Sequence, residues 1–226
     1  MTFALFLILA QASRPLLPLR IPSAALPQTM EFAVSRVTDS GVGARVATWH
    51  LEYRAVEIRG AKAVEYVSRF SGLNGKTLTV DSVTLMVDGM VPVSERSHQS
   101  TKIMNLRFDR DSTIADVTDS GGAHHVVTPT PPPYFNSTDT PLAILSLPAE
   151  RGIRGVIREY QYEAGGLVDD TLSVEDVAPG RMTARSATAE GIWTWEIDTR
   201  AHTILHASRR GRAGGAGIDF SRTDHR

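Results

Sequence analysis

Cysteine is absent from this 226-residue chain, which excludes disulfides, thiolate metal sites, a cysteine nucleophile and a lipid-modified N-terminal cysteine. Charge of one sign is missing too. The formal net charge is -1, so nothing global draws the chain to nucleic acid. A local basic patch of Arg200, Arg209, Arg210, Arg212, Arg222 and Arg226, set against Asp219 and Asp224, reads as a solvated face. No apolar run is long enough to span a bilayer as a helix, and no repeat period is visible. What is present, 42% hydrophobic and 22% charged residues, suits one sizeable globular core or two small ones, of which one domain is the simpler reading.

The pattern inside that composition has a period of two. In Trp193-Thr-Trp195-Glu-Ile197-Asp198 the bulky apolar residues take every second position, as in a strand with one buried and one wet face. Arg45 to Tyr53 does the same with Trp49, Leu51 and Tyr53, and a change of phase at Ala55 and Val56 predicts a bulge. Strands follow at Lys62 to Phe70, Thr77 to Asp88, Val91 to His98, Lys102 to Phe108, Thr113 to Val117 and His124 to Thr128, with Asp88-Gly89 as a hairpin turn. Thr128 to Thr140 holds Pro129, Pro131, Pro132 and Pro133 and reads as a long crossing loop. Pro141 then opens a short helix over Leu142 to Leu147, with Asp139 or Thr140 as its cap and Pro148 as its stop. Strands resume at Gly155 to Glu163, Thr171 to Val177, Arg181 to Ala189, Ile192 to Asp198, Thr203 to Arg210 and Ile218 to Arg222. The fold class expected is all-β: a large curved antiparallel sheet, half-barrel or barrel, with one short helix.

The N-terminus points to a compartment. Phe3 to Ala10 is an apolar run followed by Ala10-Gln11-Ala12, the small-x-small form that signal peptidases cut. Residues 13–30 carry Pro15, Pro18, Pro22 and Pro27, which break a regular ladder and read as a stiff linker. The expected organisation is thus a signal peptide over 1–12, a Pro-rich linker over 13–30 and a single antiparallel β domain over 31–226. A first core strand of a cytosolic protein is the alternative for the apolar run.

The order of these features resembles a bacterial envelope family classed only as a periplasmic domain of unknown function, whose sheet is related to the half-barrels of the LolA and LolB lipoprotein carriers. The residues that carry the resemblance are Val87-Asp88-Gly89-Met90-Val91-Pro92-Val93-Ser94-Glu95, Gly121-Gly122, the Leu-rich helix, a Leu-Pro followed by Gly152, and Trp193-x-Trp195-x-Ile197-Asp198. It runs over most of residues 45 to 222. It implies a fold, a periplasmic setting and an apolar concave surface, and it carries over no catalytic residues.

Motifs that imitate chemistry dissolve on inspection. Asp109-Arg-Asp111-Ser-Thr113 has the form of an aspartate-nucleophile phosphatase loop, but that chemistry needs a downstream lysine, and Lys62, Lys76 and Lys102 all lie upstream. His202 and His206 have the spacing of two ligands on a helix, yet in a strand their Cα atoms stand roughly 13 Å apart. His124 and His125, being adjacent, point to opposite faces of a strand. No G-x-S-x-G elbow occurs, Asp169-Asp170 reads as an exposed turn, and Asn136-Ser-Thr138 reads as a polar loop in an exported bacterial protein. No metal, cofactor or catalytic residue is assigned.

Aromatic faces remain. Trp49, Leu51, Tyr53, Met104, Phe108, Trp193 and Trp195 are the candidate ligand-binding residues, lining an apolar groove if a curved sheet leaves its face open, or packing a closed core if it does not. The Tyr134-Phe135 loop and the helix are placed to cover such a groove. The function expected is that of a non-enzymatic exported cell-envelope protein binding a lipid or other apolar ligand, or acting as a scaffold, with lipid or lipoprotein as partner, no nucleic acid and no transmembrane span in the mature chain. The alternative is a secreted hydrolase with a carboxylate or histidine site. The expected localisation is periplasmic or secreted: the mature chain should begin near Ser13 and accumulate outside the cytoplasm. Intact mass of the periplasmic or secreted fraction checks this, and a full-length cytosolic product would contradict it.

Overall fold

The two-residue period becomes, in the computed structural model and among the described residues, a single sheet of fifteen strands wrapped around one short helix. The structure describes residues 16, 17, 19, 21, 28–38, 41–188, 191–211 and 217–224, so the signal-peptide segment 1–12 lies outside the described residues. The strands are β1 (Gln28–Thr38), β2 (Gly41–Ile58), β3 (Ala61–Gly72), β4 (Thr77–Met86), β5 (Pro92–Gln99), β6 (Ile103–Phe108), β7 (Ser112–Asp119) and β8 (Gly122–Pro129). After the two-residue β9 (Phe135–Asn136), a 3-10 turn (Ser137–Asp139) leads into α1 (Thr140–Leu145). Then come β10 (Arg154–Gln161), β11 (Gly166–Ala178), β12 (Arg181–Ala187), β13 (Gly191–Asp198), β14 (Thr203–Gly211) and β15 (Gly217–Arg222).

Each strand from β1 to β8 pairs with the next, as does each from β9 to β15, and β1 joins the two runs by pairing with β15. The open edges are therefore β8 and β9, which are consecutive in the chain. Every pairing is antiparallel except β9 with β10, where Phe135 and Asn136 run parallel to Glu159 and Tyr160. Curvature brings the two edges close without a ladder between them: the Phe108 ring meets the Tyr160 ring at 6.0 Å, and Lys102 bonds Glu163. On the free side of β10, Leu16 forms a parallel bridge to Val156, and Leu17 donates to the Val156 carbonyl at 3.0 Å. Backbone groups that would otherwise template another strand are thereby occupied. Leu19 and Ile21, from the stretch read as a linker, are buried in the main core.

α1 forms where the spacing predicts, with Pro141 in its first turn, where a missing N–H costs nothing. Asp139 is its N-cap residue, yet its carboxylate makes no capping bond. Pro141, Leu142, Ala143, Ile144 and Leu145 are all buried, so the helix is apolar on every side and fills one end of the sheet's interior rather than covering a groove. Two further readings are corrected. No bulge interrupts β2 at Ala55 and Val56, because β2 pairs with β3 without a register shift from Ala47 to Ile58. The phase changes there because the pairing of β2 with β1 ends at Tyr53, so the last turns of β2 are no longer half-covered on that side. Asp169-Asp170 is not a turn but the middle of β11, where alternation sends Asp169 out to Arg158 (2.8 Å) and leaves Asp170 buried.

The loop that crosses the gap is fastened by polar side chains. Thr130 Oγ1 lies 3.0 Å from Thr113 Oγ1, and the Thr130 amide donates to the Asp111 carbonyl at 2.9 Å. Asn136 Nδ2 donates to Glu95 at 2.6 Å, Thr138 Oγ1 donates to the same carboxyl at 2.9 Å, and Thr140 Oγ1 donates to Glu159 at 3.0 Å. Burial raises the Glu95 carboxyl to about 7, with Asn136 and Thr138 acting in the opposite sense and Asp81 and Glu163 adding to the rise.

Because its folded-state value lies above that of the unfolded chain, Glu95 takes up a proton on folding between pH 4.5 and about 7. Stability from this group is fully present below pH 4.5 and lost as pH rises through 7, by about 3 kcal/mol in all. Glu95→Gln can still accept from Asn136 and donate to Thr138. It is expected to flatten the fall in unfolding free energy across that window by close to one proton, measured by urea denaturation at pH 5, 6, 7 and 8. An unchanged slope would contradict the assignment.

Candidate functional site

Strand register assembles an aromatic belt across the joined middle of the sheet. Trp49 stands opposite Phe70 on β3 and Phe32 on β1, Val34 opposite Phe220 on β15, and Ala207 of β14 between Phe220 and Trp195. Ala207 is fully buried, and its small side chain leaves room for the rings on either side to approach across β14. Trp49 packs against Phe32 (5.2 Å), Phe70 (5.5 Å, stacked) and Phe220 (5.1 Å, edge-on), and Trp193 stacks on Phe220 (5.4 Å) and on Trp195 (5.1 Å). The indoles are held in place by their N–H groups. Trp49 donates to Ser68 Oγ at 2.9 Å and Trp195 to Ser186 Oγ at 3.2 Å, both buried.

These rings pack on one another along the sheet and leave space on their inner side. They form one wall of a cavity of about 560 Å³ inside the curve of the sheet, within the range that small-molecule sites occupy. Trp49, Phe70, Trp193, Trp195 and Phe220 supply the apolar wall, and Ser137, Thr138, Thr140 and Pro141, at the start of α1, line it from the crossing segment. Trp193 is only half-buried, and the Arg209 guanidinium lies over its ring at 5.5 Å. That contact is of the cation-π kind.

The rest of the lining is acidic: Asp81 of β4, Glu159 of β10, Glu163 of the β10–β11 turn and Asp170 of β11. Ile157 pairs with Asp170 and Glu159 with Val168, so Glu159 and Asp170 are diagonal neighbours on one face and bond side chain to side chain. Burial, then the charge of Asp170, holds the Glu159 carboxyl well above the usual carboxylate range, while Thr140 acts to lower it. Asp81 is raised too, again first by burial, although Ser97 donates to it at 2.6 Å. Asp139 is fully buried and its two oxygens make no well-formed hydrogen bond. Burial and the nearby Glu95 keep it neutral well past the ordinary range, opposed in part by the Asn136 backbone.

Of the residues singled out from sequence, Trp49, Trp193 and Trp195 meet at this cavity. Leu51 and Tyr53 share the face of Trp49 but lie further along β2 in the packed core, Tyr53 stacked on Tyr66 at 5.1 Å. Met104 and Phe108 are elsewhere, in a second cluster with Leu106, Val117, Tyr134 and Tyr160 that packs the two sheet edges together. Sequence reasoning missed Phe70 and Phe220, each the last bulky residue of an alternating strand, and all the interior acids. Alternation carried a signal for Glu159, which follows Ile157 by two, but a charged residue in a strand reads as solvent-facing by default.

The other candidates stay apart. Asp109 and Asp111 lie on the exposed β6–β7 turn. His202 sits in a turn with φ 49°, while His206 on β14 bonds Asp219 at 2.6 Å. His124 and His125 pair with Asp119 and Asp116 at the β7–β8 edge. Asn136, read as part of a polar loop, is buried against Glu95. Among the described residues no group of three or more histidine or acidic side chains is arranged to hold a metal ion, and no helix is long and apolar enough to cross a membrane.

Comparison with known proteins adds a family and nothing finer. No curated protein and no solved structure matches the chain. The family match begins in β1 and ends with β11, so it takes in the crossing segment, α1 and the acidic wall, while Trp193 and Trp195 fall beyond it. Matching over residues 31–178, the chain belongs to the DUF3108 family, described as proteins of unknown function.

Proposed function

We propose that this protein is a non-enzymatic binding protein of the bacterial cell envelope, which takes the hydrocarbon part of an amphipathic ligand into the aromatic cavity. The observation that carries the reading is the belt of Trp49, Phe70, Phe220, Trp193 and Trp195 facing about 560 Å³ that the protein's own side chains leave unfilled. A closed core would bring such rings into mutual contact on all sides, since protein interiors are packed as densely as organic crystals. Each methylene that enters the cavity gains roughly 0.8 kcal/mol. The apolar N-terminal run with Ala10-Gln11-Ala12 supports export, and the curved, unclosed sheet supports kinship with the half-barrel lipoprotein carriers.

One observation favours a second reading. The hydrogen-bonded Glu159 and Asp170 carboxyls line the same cavity, and a pair that shares a proton can act as acid and base on a bound substrate, as in a hydrolase. Turnover lost in Glu159→Gln while ligand binding persists would establish it.

Trp193 is the residue with which to test the binding reading. Trp195 is deeply buried and hydrogen-bonded, so truncating it costs roughly 3–5 kcal/mol of stability. Trp193, half-buried, can be replaced with less damage. Decanol, a neutral chain, is expected to quench tryptophan emission saturably. Trp193→Glu, shown to be folded by circular dichroism, should weaken its binding at least tenfold, because a carboxylate would replace a half-buried ring of the apolar wall. Absence of saturable quenching in the wild type would refute the binding reading.

A further inference from the structure

Building on the binding reading, we propose that the cavity's ligand carries a cationic head, a protonated amine or quaternary ammonium, which seats against the wall formed by Asp81, Glu159 and Asp170.

The charge distribution around the cavity is lopsided. Four carboxyls line it against one guanidinium, that of Arg209, which lies over the Trp193 ring. Lys102 bonds Glu163 and leans over Tyr162 at 5.4 Å, so the cation nearest that acid is already engaged outside the aromatic wall. A fatty acid or a phosphate-headed lipid would bring its anion into a space bordered by four carboxyls, where the ammonium beside them, that of Lys102, is already bonded to Glu163. An ammonium meets the reverse situation. Its charge is opposed by carboxylates, and its methyl or methylene groups rest on the faces of Trp195 and Trp49, whose π clouds attract cations. The two walls therefore match the two ends of one molecule.

The acids on that wall also explain how the empty cavity is tolerated. Facing Glu159 are Asp170 from β11, Asp139 from the turn before α1 and Thr140 from α1, and Asp81 from β4, Glu163 from the β10–β11 turn and Arg209 from β14 line the same cavity. Glu95 on β5 acts through Asp139. With so many carboxyls together, the Glu159–Asp170 pair holds a proton when no cation is present. An arriving ammonium makes that proton unnecessary, so ligand and proton compete, and affinity for a cationic head rises with pH while affinity for a neutral head does not.

Three ten-carbon probes below their micelle-forming concentrations separate the possibilities: decyltrimethylammonium, decanol and decanoate, each titrated against tryptophan emission at pH 6, 7 and 8. The expected order is ammonium at least tenfold tighter than decanol, with decanoate weaker than both at pH 7 and 8. The ammonium affinity should increase between pH 6 and pH 8. In Glu159→Gln, or in Asp81→Asn should the former fail to fold, the ratio of ammonium to decanol affinity should shrink at least fivefold. Decanoate binding as tightly as the ammonium, or an ammonium preference indifferent to pH and retained in both variants, would overturn the inference while leaving the cavity reading intact. Failure of all three probes to bind overturns both.

Discussion

A sheet whose two edges are consecutive in the chain obliges the intervening segment to cross the gap between them. Here that crossing is made by residues 130–140, and the structure on either side depends on how it is fastened. The proline-rich half cannot continue a ladder, and the following half enters the interior as α1. Its polar side chains leave water, so partners have to come from the strands it passes: Thr113 for Thr130, Glu95 for Asn136 and Thr138, Glu159 for Thr140. Carboxyls are effective here because one group can accept several donors. They are also costly to bury, and their raised affinity for protons follows directly.

The same fastening defines the cavity. α1 occupies one end of the interior, in one apolar cluster with Met30, Leu51 and Val64, and the cavity lies beyond its first turn, from which Thr140 and Pro141 contribute to the lining. Trp49, Phe70, Phe220 and Trp193 line that unoccupied end, and of the two acids that tie the crossing segment down Glu159 lines it as well. An amphipathic interior is thus a by-product of closing the sheet with a polar strap and an apolar plug. Family membership begins in β1 and ends with β11, which includes the strap, the plug and the acids.

Much of this was legible in the residues. Alternation located nearly every strand, Asp88-Gly89 marked the turn after β4, and Pro141 marked the start of the helix to within a residue. Trp49, Trp193 and Trp195 were rightly placed on inward faces. Convergence was not legible. Trp49 and Phe220 are brought together by the β1–β15 pairing, a contact between the two ends of the chain that no local pattern encodes. Met104 and Phe108 alternate as cleanly as Trp193 and Trp195, yet sheet curvature carries them into a separate cluster at the seam. Glu159 and Asp170 were passed over because charge in a strand signals solvent, and only the paired register of β10 and β11 reveals that both point inward.

Native mass spectrometry of the mature protein, released gently from the cell that makes it, addresses the central claim most directly. The expected spectrum contains a second species heavier by one small amphiphile, which dissociates as a cation and is missing from Trp193→Glu. A protein that is ligand-free at every collision energy, with an experimental structure in which its own side chains fill the space between Trp49 and Glu159, would contradict it.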